Sequence, residues 1–121
     1  MNIKRLTPML WTDKLEETIT FYTEILQFTC GEKNTDWGWA SLHNGNAEIM
    51  LAKPNEHSAF TKCNFTGSFY FEVDDVETIW GQLKDKSEIV YPLESFEWGM
   101  REFAIYDNNG YLLQFGENEN N

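Results

Sequence analysis

Three glutamates, Glu48, Glu72 and Glu102, sit in segments where alternate residues are apolar, with Trp37, Trp39, Tyr70, Phe96 and Trp98 nearby along the chain. Carboxylates act as general bases near neutral pH only when burial raises their pKa. Among aromatic faces they serve instead to hold a cation. Stacking, cation–π attraction and charge-assisted hydrogen bonds together suit a flat, cationic, partly apolar ligand. The same aromatics would equally fill an interface between subunits. His43, beside Asn44-Gly45, and His57, in the polar run Asn55-Glu56-His57-Ser58, have no serine or cysteine placed for nucleophilic catalysis. Binding therefore ranks above metal-free catalysis.

Strands must position these side chains, and one order of elements occurs twice. Leu6 to Thr12 reads as a strand, after which Asp13 caps a helix and Glu16 closes its capping box. Leu15, Ile19, Tyr22 and Leu26 carry that helix to about Gln27. Strands are expected over Phe28–Lys33, Trp37–His43 and Asn46–Ala52, the last two joined by Asn44-Gly45, a type I′ hairpin signal. The order restarts with a strand over Ser68–Val73 and a helix opened by Asp74-Asp75 that carries Val76, Trp80 and Leu83. Strands over Glu88–Tyr91, Arg101–Tyr106 and Tyr111–Phe115 complete it. Two β-α-β-β-β modules, about 3–52 and 67–117 with a linker over 53–66, read as an internal duplication. They predict one α+β domain over 1–121.

Strand side chains alternate between faces, so each strand divides into two sets. Phe69, Phe71 and Val73 should pack under a helix, leaving Ser68, Tyr70 and Glu72 opposite. Asn46, Glu48 and Met50 oppose Ala47, Ile49 and Leu51. Trp37, Trp39, Ser41 and His43 oppose Gly38, Ala40 and Leu42. In the last hairpin Phe103, Ile105, Leu113 and Phe115 form the buried set, and Glu102, Ala104, Leu112 and Gln114 the other. In the first strand Pro8 and Leu10 are assigned to the open side, with Met9 and Trp11 inward. Arg101 starts the apolar set and should pair with a carboxylate or reach the rim. Asp107-Asn108-Asn109-Gly110 is turn chemistry.

The run from Trp98-Gly99 through Arg101-Glu102-Phe103 to Asp107, Gly110 and Phe115 resembles the W-G-x-R-E-F-x-x-x-D-x-x-G-x-x-x-x-F hairpin of bleomycin-resistance-type proteins. These belong to the vicinal-oxygen-chelate (glyoxalase/dioxygenase) superfamily. The order of elements is similar to that fold as well. The resemblance implies a glyoxalase/bleomycin resistance fold, in which tandem βαβββ modules form a curved mixed sheet around a cleft. It also implies a homodimer whose subunits combine to make each cleft. A tandem-βαβ sheet without a cleft is the alternative.

In metal-dependent members of that superfamily, His or Glu side chains enter the cleft from four strands. Carried over by motif, those positions fall at Pro8, at Met50 (or Glu48 with the register moved by two), at Ser68 and at Gln114. Proline, methionine, serine and glutamine are poor ligands for a catalytic divalent ion. Glyoxalase and ring-cleaving dioxygenase chemistries need the metal, so neither is expected, and no metal or cofactor is expected. The implied function is metal-free sequestration of a cationic or aromatic small molecule, as in antibiotic resistance, which works by mass action. The expected ligand contacts are Trp37, Trp39, Glu48 and Met50 in the first module and Ser68, Tyr70, Glu72, Glu102 and Gln114 in the second. Phe96 and Trp98 join them from the loop before the final hairpin. A divergent metal-dependent lyase, isomerase or dioxygenase with unusual ligands such as Glu48 and Glu72 stays open, as does a dimer with a vestigial cleft.

The 121 residues carry 20 Asp and Glu against 9 Lys and Arg, a net charge of −11, which argues against nucleic acid and anionic membranes as partners. Hydrophobic content of 41% supports a folded core. Cys30 and Cys63 make no close-spaced motif, and Met1-Asn2-Ile3-Lys4-Arg5 has no apolar signal core. Free thiols in a reducing cytoplasm are expected.

Overall fold

Each half of the duplication builds its own four-stranded mixed sheet, and the two sheets share one topology. The computed structural model describes residues 1–54 and 60–120, so His57 lies outside the described residues. The chain divides into two units, Met1–Cys63 and Asn64–Asn121, with the division inside the expected linker.

The first unit contains β1 (Met9–Trp11), α1 (Leu15–Thr20), β2 (Thr29–Asn34), β3 (Trp39–Asn44) and β4 (Ala47–Ala52), in sheet order β1-β4-β3-β2. β1 is parallel to β4, and the other pairs are antiparallel. Leu10, Ala40, Leu42, Ile49 and Leu51 are buried and share one face of the sheet. That corrects the expected phase of the first strand: Leu10 pairs with Leu51 and points inward, whereas Met9 is exposed and Trp11 half-buried. Met9, Leu10 and Trp11 are all apolar, so alternation alone could not orient the strand. It is also shorter than Leu6–Thr12.

The start of α1 differs from expectation as well. No capping box forms; the Lys14 amide donates to the buried Thr12 hydroxyl (3.1 Å), and Glu16 pairs with Lys33 instead (2.7 Å). The helix is regular only to Thr20 and continues as a π-helix over Phe21–Ile25, where the Leu26 amide reaches back to the Phe21 carbonyl (3.2 Å). Thr23 donates its hydroxyl to the Ile19 carbonyl (2.8 Å), a back-bond of the kind that loosens and bends helices. Phe21, Tyr22 and Leu26 are nevertheless all buried.

The second unit contains β5 (Phe69–Glu72), α2 (Val76–Leu83), β6 (Glu88–Ser95), β7 (Met100–Tyr106) and β8 (Leu112–Asn118), in sheet order β5-β8-β7-β6. Asp75 caps α2 by accepting from the Thr78 amide (3.3 Å). Glu117 on β8 accepts from the Val76 amide (3.0 Å), and Arg101 on β7 donates to Glu77 (2.7 Å), so both strands are tied to the helix. Trp80 of α2 meets Phe103 at 5.1 Å, and Phe103 stacks on Phe115, which stacks on Phe71, each at 5.3 Å. The apolar set of this sheet thus faces α2.

In both units the inward residue of the first strand lies five positions before the helix begins, Leu10 to Leu15 and Phe71 to Val76. The duplicated spacing fixes which residues correspond. Among the described residues no helix is long and apolar enough to cross a membrane, and Cys30 and Cys63 are both free. Phe103 is fully buried at the centre of the aromatic stack, so Phe103→Ala should cost about 3–5 kcal/mol, read as a lower denaturation midpoint. An unchanged midpoint would remove Phe103 from the core.

Candidate ligand-binding site

The register of the second sheet sets two rows of side chains on the face away from α2. Tyr70, Gln114, Ala104 and Tyr91 form one row across β5, β8, β7 and β6; Glu72, Gly116, Glu102 and Glu94 form the next. Tyr91 belongs to this face because the β6 register slips by one residue between Ile89 and Tyr91, pairing Tyr91 with Ala104. Pro92 follows immediately, tolerated because β6 is an edge strand.

Glu102 is 2% exposed, and its carboxylate is the acceptor on which these rows converge. One oxygen receives the Tyr70 hydroxyl (2.9 Å) and the Trp98 indole N–H (3.1 Å). The other receives the Tyr91 hydroxyl and the Gln114 amide N–H (3.4 Å). The Gln114 amide also donates to the Tyr91 oxygen (2.7 Å), and its carbonyl accepts from Ser68. Ser68, Gln114 and Tyr91 therefore form a one-way chain of donors ending on Glu102. Among the described residues no lysine or arginine pairs with this carboxylate; the basic side chain of β7, Arg101, is directed to Glu77 and Ser95.

Two glycines permit this packing. A Cβ on Gly116 would lie 2.0 Å from the Tyr70 hydroxyl, so the missing side chain is the space through which Tyr70 reaches Glu102. Gly99 adopts φ +86° in the turn closed by the Phe96 amide on the Met100 carbonyl (2.9 Å), the turn that carries Trp98. Phe96 stacks on Trp98 with centroids 4.6 Å apart and planes 10° apart, and meets Tyr91 edge-on at 5.8 Å. Trp98 and Tyr70 stay 60% and 43% exposed above a buried anion.

Burial raises the Tyr70 phenol pKa, with the hydrogen bond to Glu102 adding to it. Burial, reinforced by the same carboxylate, pushes Tyr91 up to about 12. Both remain donors throughout the physiological range.

Ser68, Tyr70, Phe96, Trp98, Glu102 and Gln114 are thus brought together, and Glu72 lies exposed in the Glu102 row. Tyr91 was missed by sequence reasoning, and Pro92 is the one hint, since proline within strands favours edges and bulges. The first unit places Trp39 and Met50 on one face of its sheet with Ser41 and Met9, all on the face away from Leu10. Glu48, on the same face, accepts from Thr7 (3.1 Å) and faces Arg5 (3.5 Å). Trp37 lies outside β3, in a turn where its amide donates to Asn34 (3.0 Å), and is 75% exposed.

The residues at the superfamily's metal positions do not fit a catalytic divalent ion. The inward phase of Leu10 leaves Thr7, not Pro8, beside Glu48, and Thr7 donates to it. Met50 offers a thioether, and Ser68 and Gln114 are bonded to each other. The four lone-pair sites of Glu102 are occupied by protein donors. Among the described residues no three His, Cys, Asp or Glu side chains gather as a ligand set.

Paired βαβββ units of this topology define a known class of folds, and the sequence agrees. The profile of the Glyoxalase/Bleomycin resistance protein/Dioxygenase superfamily matches residues 3–115, and the chain belongs to that superfamily. Similar solved structures include a protein of unknown function from Agrobacterium tumefaciens str. C58 (19% identity, TM-score 0.82, covering 97% of this chain and 95% of that one). TioX from Micromonospora sp. ML1 is similar at 17% identity and TM-score 0.76, covering 96% and 99%. Lactoylglutathione lyase from Agrobacterium tumefaciens is similar at 18% identity and TM-score 0.73, covering 96% and 94%. At these identities the likeness is one of fold. No curated protein sequence matches the chain.

Tyr91 holds its proton more tightly folded than unfolded, so its contribution to stability is whole below pH 10.0 and is lost as pH rises to about 12. Phenolate absorbance should show a late-titrating group that Tyr91→Phe removes; five phenols all ionising together near pH 10 would contradict the network. Gly116→Ala should destabilise by about 1–3 kcal/mol through overpacking. Adding Tyr70→Ala should recover much of that loss, a coupling that a double-mutant cycle of unfolding midpoints measures.

Proposed function

We propose that this chain is a binding protein that sequesters a cationic or aromatic small molecule without a metal, using the open face of the second sheet. One observation carries this reading: a carboxylate 2% exposed has neutral donors on both oxygens and no basic partner among the described residues, beneath exposed aromatic rings. A buried charge held only by neutral dipoles costs several kcal/mol, and a bound cation relieves that cost. The second unit adds a favourable field, with three basic residues against twelve acidic ones. With its lone pairs engaged, Glu102 is poorly placed to take a proton from a substrate, which ranks holding above turnover. The superfamily resemblance supports both units acting as one domain within a homodimer, and the intracellular setting that free thiols suit.

Titration with a planar N-methylated aromatic cation, followed by tryptophan fluorescence, tests the proposal. Binding should survive exhaustive dialysis against chelator. Trp98→Ala should weaken it by roughly 2- to 30-fold, the equivalent of about 0.5–2 kcal/mol of cation–π attraction. Loss of binding on chelation, or no fluorescence response at all, would sink it.

A further inference from the structure

Resting on that binding reading, we propose that the charged group of the ligand carries no N–H donor: it is a quaternary ammonium or an N-alkylated aromatic cation. A carboxylate offers about four acceptor sites, and the protein fills two on each oxygen of Glu102. A primary ammonium or a guanidinium gains most from short hydrogen bonds, and here it would have to evict Tyr70 or Trp98 to make one. Otherwise its N–H groups would be left to water or to the exposed Glu72 and Glu94, forgoing a hydrogen bond to Glu102. A fully alkylated cation has no such requirement. It interacts with Glu102 through space and with ring faces through their quadrupoles.

The direction of the aromatic donors supports the same class. Indole N–H and phenol O–H bonds lie in their ring planes, so Trp98 and Tyr70 turn edges toward Glu102. One face of Trp98 is covered by Phe96, and the residue remains 60% exposed. Donation into an anion polarises a ring and strengthens its attraction for a cation over the face. Glu72 and Glu94 are exposed in the same row and stay hydrated; they attract every cation alike and do not select among them.

The test is a matched pair, benzyltrimethylammonium against benzylammonium, titrated calorimetrically into the intact protein. The methylated cation should bind at least about tenfold more tightly. Tyr70→Phe frees one lone pair of Glu102, so it should raise benzylammonium affinity and narrow the gap, while circular dichroism confirms folding. Equal affinities, or a preference for benzylammonium in the wild type, would overturn the assignment while leaving cation binding standing. Binding of neither would overturn both. A preference untouched by Trp98→Ala and Tyr70→Phe alike would place the selection elsewhere and overturn it too.

Discussion

A carboxylate removed from water needs replacements for the hydrogen bonds it gave up, and the second sheet is organised around supplying them to Glu102. The supply comes from three strands and one turn. β5 contributes Tyr70, β6 contributes Tyr91, β8 contributes Gln114, and the β6–β7 turn contributes Trp98. None of these donors is near Glu102 by chain order except Trp98. They meet because the pleat sends alternate residues to one face and the register aligns those faces. Shifting β5 or β8 by one residue would replace Tyr70 or Gln114 by a phenylalanine or leucine of the opposite face.

The opposite face imposes the same register from its own side. Phe71, Phe115 and Phe103 stack in sequence across β5, β8 and β7 and end on Trp80. Aromatic packing therefore fixes the strands that the polar network uses. The ion pair from Arg101 to Glu77 keeps a basic group on the helix side, away from the buried anion. Core and site are two faces of a single constraint.

Much of this was legible in the sequence wherever one phase of a strand was cleanly apolar. Phe103, Ile105, Leu113 and Phe115 against Glu102, Ala104 and Gln114 leave little choice, and the two modules follow from repeated spacing. The failures share a cause. Met9-Leu10-Trp11 is apolar in both phases, so orientation came only from pairing with β4. Tyr91 depends on an irregular register that no alternation encodes. The first helix bears regular apolar spacing, yet it widens to a π-helix over Phe21–Ile25, where the Thr23 hydroxyl also bonds the Ile19 carbonyl. Neither the depth of Glu102 nor the saturation of its oxygens is visible without three dimensions.

The shared topology has one more consequence. Matching Leu10 with Phe71 and following the ladders sets Met9 against Tyr70, Met50 against Gln114, and Trp39 against Glu102. Position for position, then, one copy carries thioethers and an indole where the other carries hydroxyl, amide and carboxylate. The two units share a frame of inward apolar residues and differ in the outward ones. At these three positions the same scaffold bears soft, polarisable groups in one half and hard, polar ones in the other.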